Sequence, residues 1–144
     1  MNLALALGLR GAAIGMVGLA YSHTIEPNDV EIVPLTLTLP RLAPDFHGFR
    51  IAQISDIHMG GWMSASKLAH MVDLVNAQKP DLVAITGDFV TGRPVSRQAA
   101  ALIGALGQLD PRADVVAVLG NHDYWSGAQE IRGILRRLGI HEIG

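Results

Sequence analysis

The sequence predicts an α/β domain with a largely parallel sheet, and three observations carry that reading. Three short apolar runs occur, Arg50–Ser55, Asp81–Thr86 and Asp114–Leu119, rich in Ile and Val as strands covered on both faces tend to be. Each is followed by a polar cluster and then by a segment with apolar residues at helical spacing. The clusters recur at an even interval: Asp56 to Asp88 is 88 − 56 = 32 positions and Asp88 to Asn121 is 121 − 88 = 33. That is close to one βαβ unit of about 30 residues, so a strand, a loop and a helix repeat.

In chain order, residues 1–22 come first as a hydrophobic helix. Leu3 to Tyr21 is apolar except for Arg10, long enough to cross a bilayer. Arg10 at its middle costs about 2.5–3.5 kcal/mol on insertion scales. Gly18-Leu19-Ala20 resembles a signal-peptidase site, although no basic segment follows Met1. The segment is therefore expected to be a membrane anchor or a signal-like helix, with a buried soluble helix as the remaining reading, and the side of the membrane is open. Residues 23–45 form a Pro-rich lead-in in which Leu35, Leu37 and Leu39 alternate with Thr36 and Thr38, an expected edge strand between proline stops.

From residue 46 the repeating units begin. Ser64 can cap a helix running to about Gln78, with Leu68, Met71, Val72 and Val75 on one face and Lys79-Pro80 as its end. A second helix is expected from Pro94 to Gln108, proline suiting a first turn. The third runs from Ser126 to Leu138, with Ile131, Ile134, Leu135 and Leu138 as its stripe and Gly139 as its stop. Ile140 to Ile143 opens a fourth strand.

Composition narrows the chemistry. With 144 residues and no cysteine, disulfide frameworks and thiolate metal sites are excluded, so any metal is held by His, Asp, Glu or Asn. A formal charge of −2 supplies no basic field, and nucleic acid is not an expected partner.

Three clusters stand at the C-terminal ends of the three strands: Asp56-Ile57-His58, Gly87-Asp88 and Gly120-Asn121-His122-Asp123. In open α/β sheets that edge is where ligands bind. Asp56 and His58, one residue apart on an extended strand end, would face the same way and grip one cation. Asp88 follows a glycine that lets backbones approach, a carboxylate there can bridge two cations, and Asn121 adds a neutral carbonyl oxygen. Oxygen and imidazole donors without sulfur suit Mn, Fe, Zn or Mg.

These residues match a known pattern. From about Phe46 to Gly144 the sequence resembles the calcineurin-like metallophosphoesterase superfamily, whose motifs read D-x-H, G-D and G-N-H-[D/E], followed by two later histidine motifs. The run Gln53 to His58 after a hydrophobic N-terminus is similar to the small membrane-associated phosphohydrolase branch. The resemblance implies the N-terminal part of a two-layered sandwich, with Asp56 and His58 on a first metal ion, Asp88 bridging, and Asn121 on a second. It further implies His122 as the catalytic group beside the substrate, protonating the leaving oxygen, with Asp123 orienting its ring. A hydroxide activated by two divalent metal ions would attack the phosphorus. The substrate so implied is a phosphoester, with a lipid-linked phosphodiester or pyrophosphate favoured by the hydrophobic N-terminus.

The sequence departs from the pattern after His122. The only later histidine is His141, preceded by Ile140, so neither a Gly-His pair nor G-H-x-H occurs. The expectation is an N-terminal fragment that alone binds metal poorly and hydrolyses little. The competing reading is a non-catalytic, membrane-tethered module with an incomplete metal site; a nuclease is the further enzyme alternative. Asp123 reads equally well as a helix-initiating acid. Trp62, Met63, Tyr124 and Trp125 either line an entrance or pack on the domain, and Arg132, Arg136 and Arg137 are expected on a solvated helix face.

Overall fold

A computed structural model describes residues 30–144 and Met16. The chain divides into two compact units, Met1–Thr38 and Leu39–Gly144. Apart from Met16, the hydrophobic helix expected over residues 1–22 lies outside the described residues. Among those that are described, no helix is long and apolar enough to cross a membrane. Residues 30–39 carry no strand, and Leu35, Leu37 and Leu39 are exposed. The alternation that suggested an edge strand has no ladder partner among the described residues, and Pro34 and Pro40 bring no N–H donor to one.

Within Leu39–Gly144, a short 3-10 turn at Pro44–Phe46 precedes four strands: β1 Ile51–Ile54, β2 Leu82–Thr86, β3 Asp114–Val118 and β4 His141–Glu142. All pair in parallel in the order β1-β2-β3-β4. The helices between them are α1 Ala65–Ala77, α2 Ser96–Leu106, α3 Asn121–Ser126 and α4 Ala128–Leu138. Ser64 caps α1 as its sequence suggests, its hydroxyl accepting the Lys67 N–H at 3.2 Å, and the helix ends where Lys79 turns left-handed at φ 51°.

The third expected helix is two helices. Gly127 sits at φ 150°, a backbone conformation that L side chains rarely adopt, and it separates α3 from α4. Helical structure therefore begins at Asn121, inside the polar cluster, five residues earlier than the apolar stripe indicated. Gly120 and Asp123 carried that signal: an acid at the third helical position can turn back onto the N-cap.

The core lies on one face of the sheet. Ile54, Val83, Ile85 and Ala117 project from the strands into Leu68 and Val72 of α1, Leu102, Ala105 and Leu106 of α2, and Ile131, Ile134 and Leu135 of α4. The alternate strand positions are different: Ile51, Gln53 and Thr86 are exposed, and Leu82, Ala84, Val116 and Val118 are half-buried. Strands expected to be covered on both faces are thus covered on one by the described residues. The reason is topological, since α1, α2 and α4 all contribute to a single apolar cluster.

Candidate metal centre

The parallel pairing of β1, β2 and β3 brings their C-terminal loops together, and the loops continue the ladder beyond the strands. Asp56 N–H donates to Gly87 O at 3.3 Å, His58 N–H to Asp88 O at 2.8 Å and Met59 N–H to Phe89 O at 2.9 Å. The register of the polar clusters is therefore fixed by backbone bonds. Asp56, His58 and Asp88 sit at φ 53°, 47° and 53°, so the extended conformation expected for Asp56 and His58 ends at Ile54. Left-handed backbone costs about 1–2 kcal/mol per non-glycine residue, and Asp and His are among the residues that tolerate it. That strain is spent on turning polar side chains into a common space.

The result is a group of donors. One ligand atom from each of His58, Asp88 and His122 lies within 4.8 Å of the others, an arrangement that could hold a metal ion. His58 Nε2 stands 3.7 Å from Asp88 Oδ2 and 3.6 Å from Asp56 Oδ1. These gaps are too long for direct hydrogen bonds and suit donors that would each approach a shared cation to about 2.0–2.2 Å. The donor chemistry, imidazole nitrogen with carboxylate oxygen, fits a divalent ion of the Mn, Fe, Zn or Mg class.

Asp88 links two of the clusters. Its Oδ1 accepts the His122 backbone N–H at 2.9 Å while Oδ2 faces His58, and its carboxylate is nearly buried. Glycine makes this approach possible: a Cβ on Gly87 would meet Gly120 N at 2.6 Å, and one on Gly120 would meet Asp88 N at 2.5 Å and fall on the Asp88 carboxylate. No side chain fits at either position without moving the loops apart.

The remaining expected residues divide. His122 is drawn into the donor group, its ring edge-to-face with His58 at 4.8 Å and with Trp125 at 5.0 Å between centroids. Asn121 is exposed at the first turn of α3, and its amide makes no hydrogen bond among the described residues. No hydrogen bond joins Asp123 to the His122 ring among the described residues. Fully buried, Asp123 accepts Phe89 N–H at 2.8 Å and Val90 N–H at 3.4 Å on Oδ1, and Gly120 N–H at 2.9 Å on Oδ2. Burial pushes its carboxyl up from the usual range, opposed by those three N–H groups, with the Asp88 charge raising it further. The helix-initiating alternative describes Asp123 better, since its carboxylate braces the β2 loop against the start of α3.

Around the donors, Trp62, Tyr124 and Trp125 are exposed, whereas Met63 packs on the core. Trp62 carries the Lys67 ammonium 3.9 Å from its ring centroid, and Arg93 Nε donates to Trp125 O at 2.9 Å. Arg132 departs from the expected solvated face: half-buried, it donates to Glu142 from Nε at 2.9 and 3.0 Å, tying α4 to β4. Its length and the acid ten residues on were the available signal.

Residues 49–142 match the calcineurin-like phosphoesterase family. The chain belongs to that family. It is 34% identical over 116 residues to a transmembrane protein with metallophosphoesterase domain from Danio rerio, covering 78% of this chain and 26% of that protein. Against the metallophosphoesterase YkuE of Bacillus subtilis the identity is 29% over 114 residues, 79% of this chain and 40% of the relative. The UDP-2,3-diacylglucosamine pyrophosphatase LpxG of Chlamydia muridarum is 33% identical over 104 residues, 72% of this chain and 31% of LpxG. The chain thus spans between about a quarter and two fifths of these relatives.

Proposed function

We propose that this member of the calcineurin-like phosphoesterases contributes the first part of a dinuclear centre that hydrolyses a phosphoester, residues 46–144 being the N-terminal part of the catalytic domain. The observation that carries the reading is the meeting of His58, Asp88 and His122 at the C-terminal sheet edge, with Asp56 at its rim. In this reading Asp56, His58, Asp88 and Asn121 would hold the divalent ions, and His122 would touch the substrate. Divalent ions bound there would activate water at neutral pH and offset the charge of the phosphoryl oxygens.

This chain's own residues do the rest. Asp88 holds the β2 and α3 loops at fixed separation through the His122 N–H, so donors from different strand tips stay aligned. The His122 imidazole, wedged between His58 and Trp125, supplies a proton for the leaving oxygen. The relationship to LpxG supports a lipid-linked pyrophosphate or phosphodiester as substrate, and the apolar stretch within residues 1–22 supports attachment to a membrane.

The test is hydrolysis of a chromogenic phosphodiester by the full-length protein in added Mn. Activity is expected to vanish with chelator, return with metal, and fall to background in Asp88→Ala. An Asp88→Ala protein that keeps both its metal and its turnover removes Asp88 from the centre.

A further inference from the structure

The loop after β2 carries a hydroxyl that the three clusters leave unassigned. Thr91 Oγ1 lies 2.9 Å from His58 Nδ1, on the opposite side of the ring from Nε2, which faces the Asp56 and Asp88 carboxylates. The position of Thr91 is not accidental to a floppy loop. Met59 pairs with Val90 as a parallel bridge, and Thr91 N–H donates to Met59 O at 3.0 Å, so the threonine is locked one step along the same ladder that sets His58.

An imidazole has two nitrogens and two ring orientations related by a half-turn, and neutral imidazole has two tautomers. Only one combination presents a lone pair to the carboxylate side: Nε2 inward and unprotonated, with the hydrogen on Nδ1. A hydroxyl oxygen beside Nδ1 is able to accept that hydrogen, and a flipped ring would set a C–H there in its place.

We propose that Thr91 is a positioning residue for cation capture, its hydroxyl accepting the His58 Nδ1–H and holding Nε2 as the inward donor. The inference rests on His58 being a metal ligand, as argued above. Partners of this kind are worth about 10- to 100-fold in metal affinity. The exposure of Thr91 places the expected effect at the lower end, since water can replace part of the bond.

The test compares the full-length protein with its Thr91→Val variant, which keeps the shape and loses the hydroxyl, and with Thr91→Ser, which keeps the hydroxyl. Two readouts are taken: Zn2+ titration followed on the histidine resonances, and two-bond 1H–15N correlation of the neutral, metal-free His58 ring, which reports the tautomer directly. Thr91→Val is expected to bind Zn2+ about 10-fold more weakly and to lose the Nδ1–H preference. Thr91→Ser should return affinity to within about twofold. Unchanged affinity and unchanged tautomer in Thr91→Val, with the wild-type chain binding through His58, overturn this inference alone. A wild-type full-length protein whose His58 signals ignore Zn2+ overturns the metal-site reading and this inference with it.

Discussion

At the scale of single residues, a buried carboxylate does different work from the exposed ones around it. Asp123 is fully buried and receives three backbone N–H groups from two loops, whereas Asp56 is largely open to solvent beside His58. Asp123→Asn keeps the volume and tests the difference. One amide oxygen can accept from Phe89 and Val90 or from Gly120, so an NH2 group must face an N–H donor on the other side. Leaving such a buried donor unsatisfied costs about 1–3 kcal/mol. Urea denaturation should report a loss of that size, and a variant within about 0.5 kcal/mol of the wild type would return Asp123 to a role outside the fold's framework. From sequence, Asp123 was ambiguous because G-N-H-D names an acid without saying which way it turns. The helix start at Asn121 decides that, and the apolar periodicity that marks α4 begins only after Gly127.

At the scale of elements, the parts legible in the sequence were those governed by local rules. The strands β1 to β3 fall inside their apolar runs, α1 lies between its serine cap and Lys79-Pro80, and α2 follows Pro94. That His58, Asp88 and His122 come together was legible too, because their clusters stand at strand ends that parallel pairing must bring together, although the sequence pointed to His122 as a group beside the substrate and not as a donor. What escaped was set by tertiary geometry: the left-handed turns at Asp56, His58 and Asp88, the break at Gly127, and the shortness of β4. A local rule makes a local prediction. Ser64 Oγ is the acceptor for the Lys67 N–H, and Ser66 Oγ lies 3.0 Å from it. Ser64→Ala should cost about 1 kcal/mol, the usual worth of an N-cap hydroxyl, and Ser64→Asp should restore most of it. Thermal or urea melts measure both, and equal stability of Ser64→Ala would show that Ser66 or water substitutes fully.

At the scale of the whole domain, the two edges of the sheet divide the labour. The C-terminal edge gathers left-handed backbone and metal-ligating side-chain types, while the N-terminal edge is clamped. Asp81 sits at that clamp. Its Oδ2 accepts Arg50 N–H at 2.8 Å and its Oδ1 lies 3.2 Å from Arg112 Nη1. Its backbone donates to Arg50 O and receives Ala113 N–H, so one residue ties the starts of β1, β2 and β3. The Arg50 N–H, with a further contribution from Arg112, holds the Asp81 carboxyl below its ordinary value against the opposing effect of desolvation. A carboxyl lowered in the folded state binds its proton more readily when unfolded. Its stabilisation is then complete above the unfolded value near 3.8 and disappears as pH falls through the lower folded value. Asp81→Asn removes the charge and retains one acceptor for Arg50, so it should lower the urea midpoint at about pH 7, with the gap to the wild type closing as pH falls below 3.8 and through the lower folded value. A gap that stays constant across that range would mean the carboxylate charge contributes nothing and that the strand starts are held by backbone pairing alone.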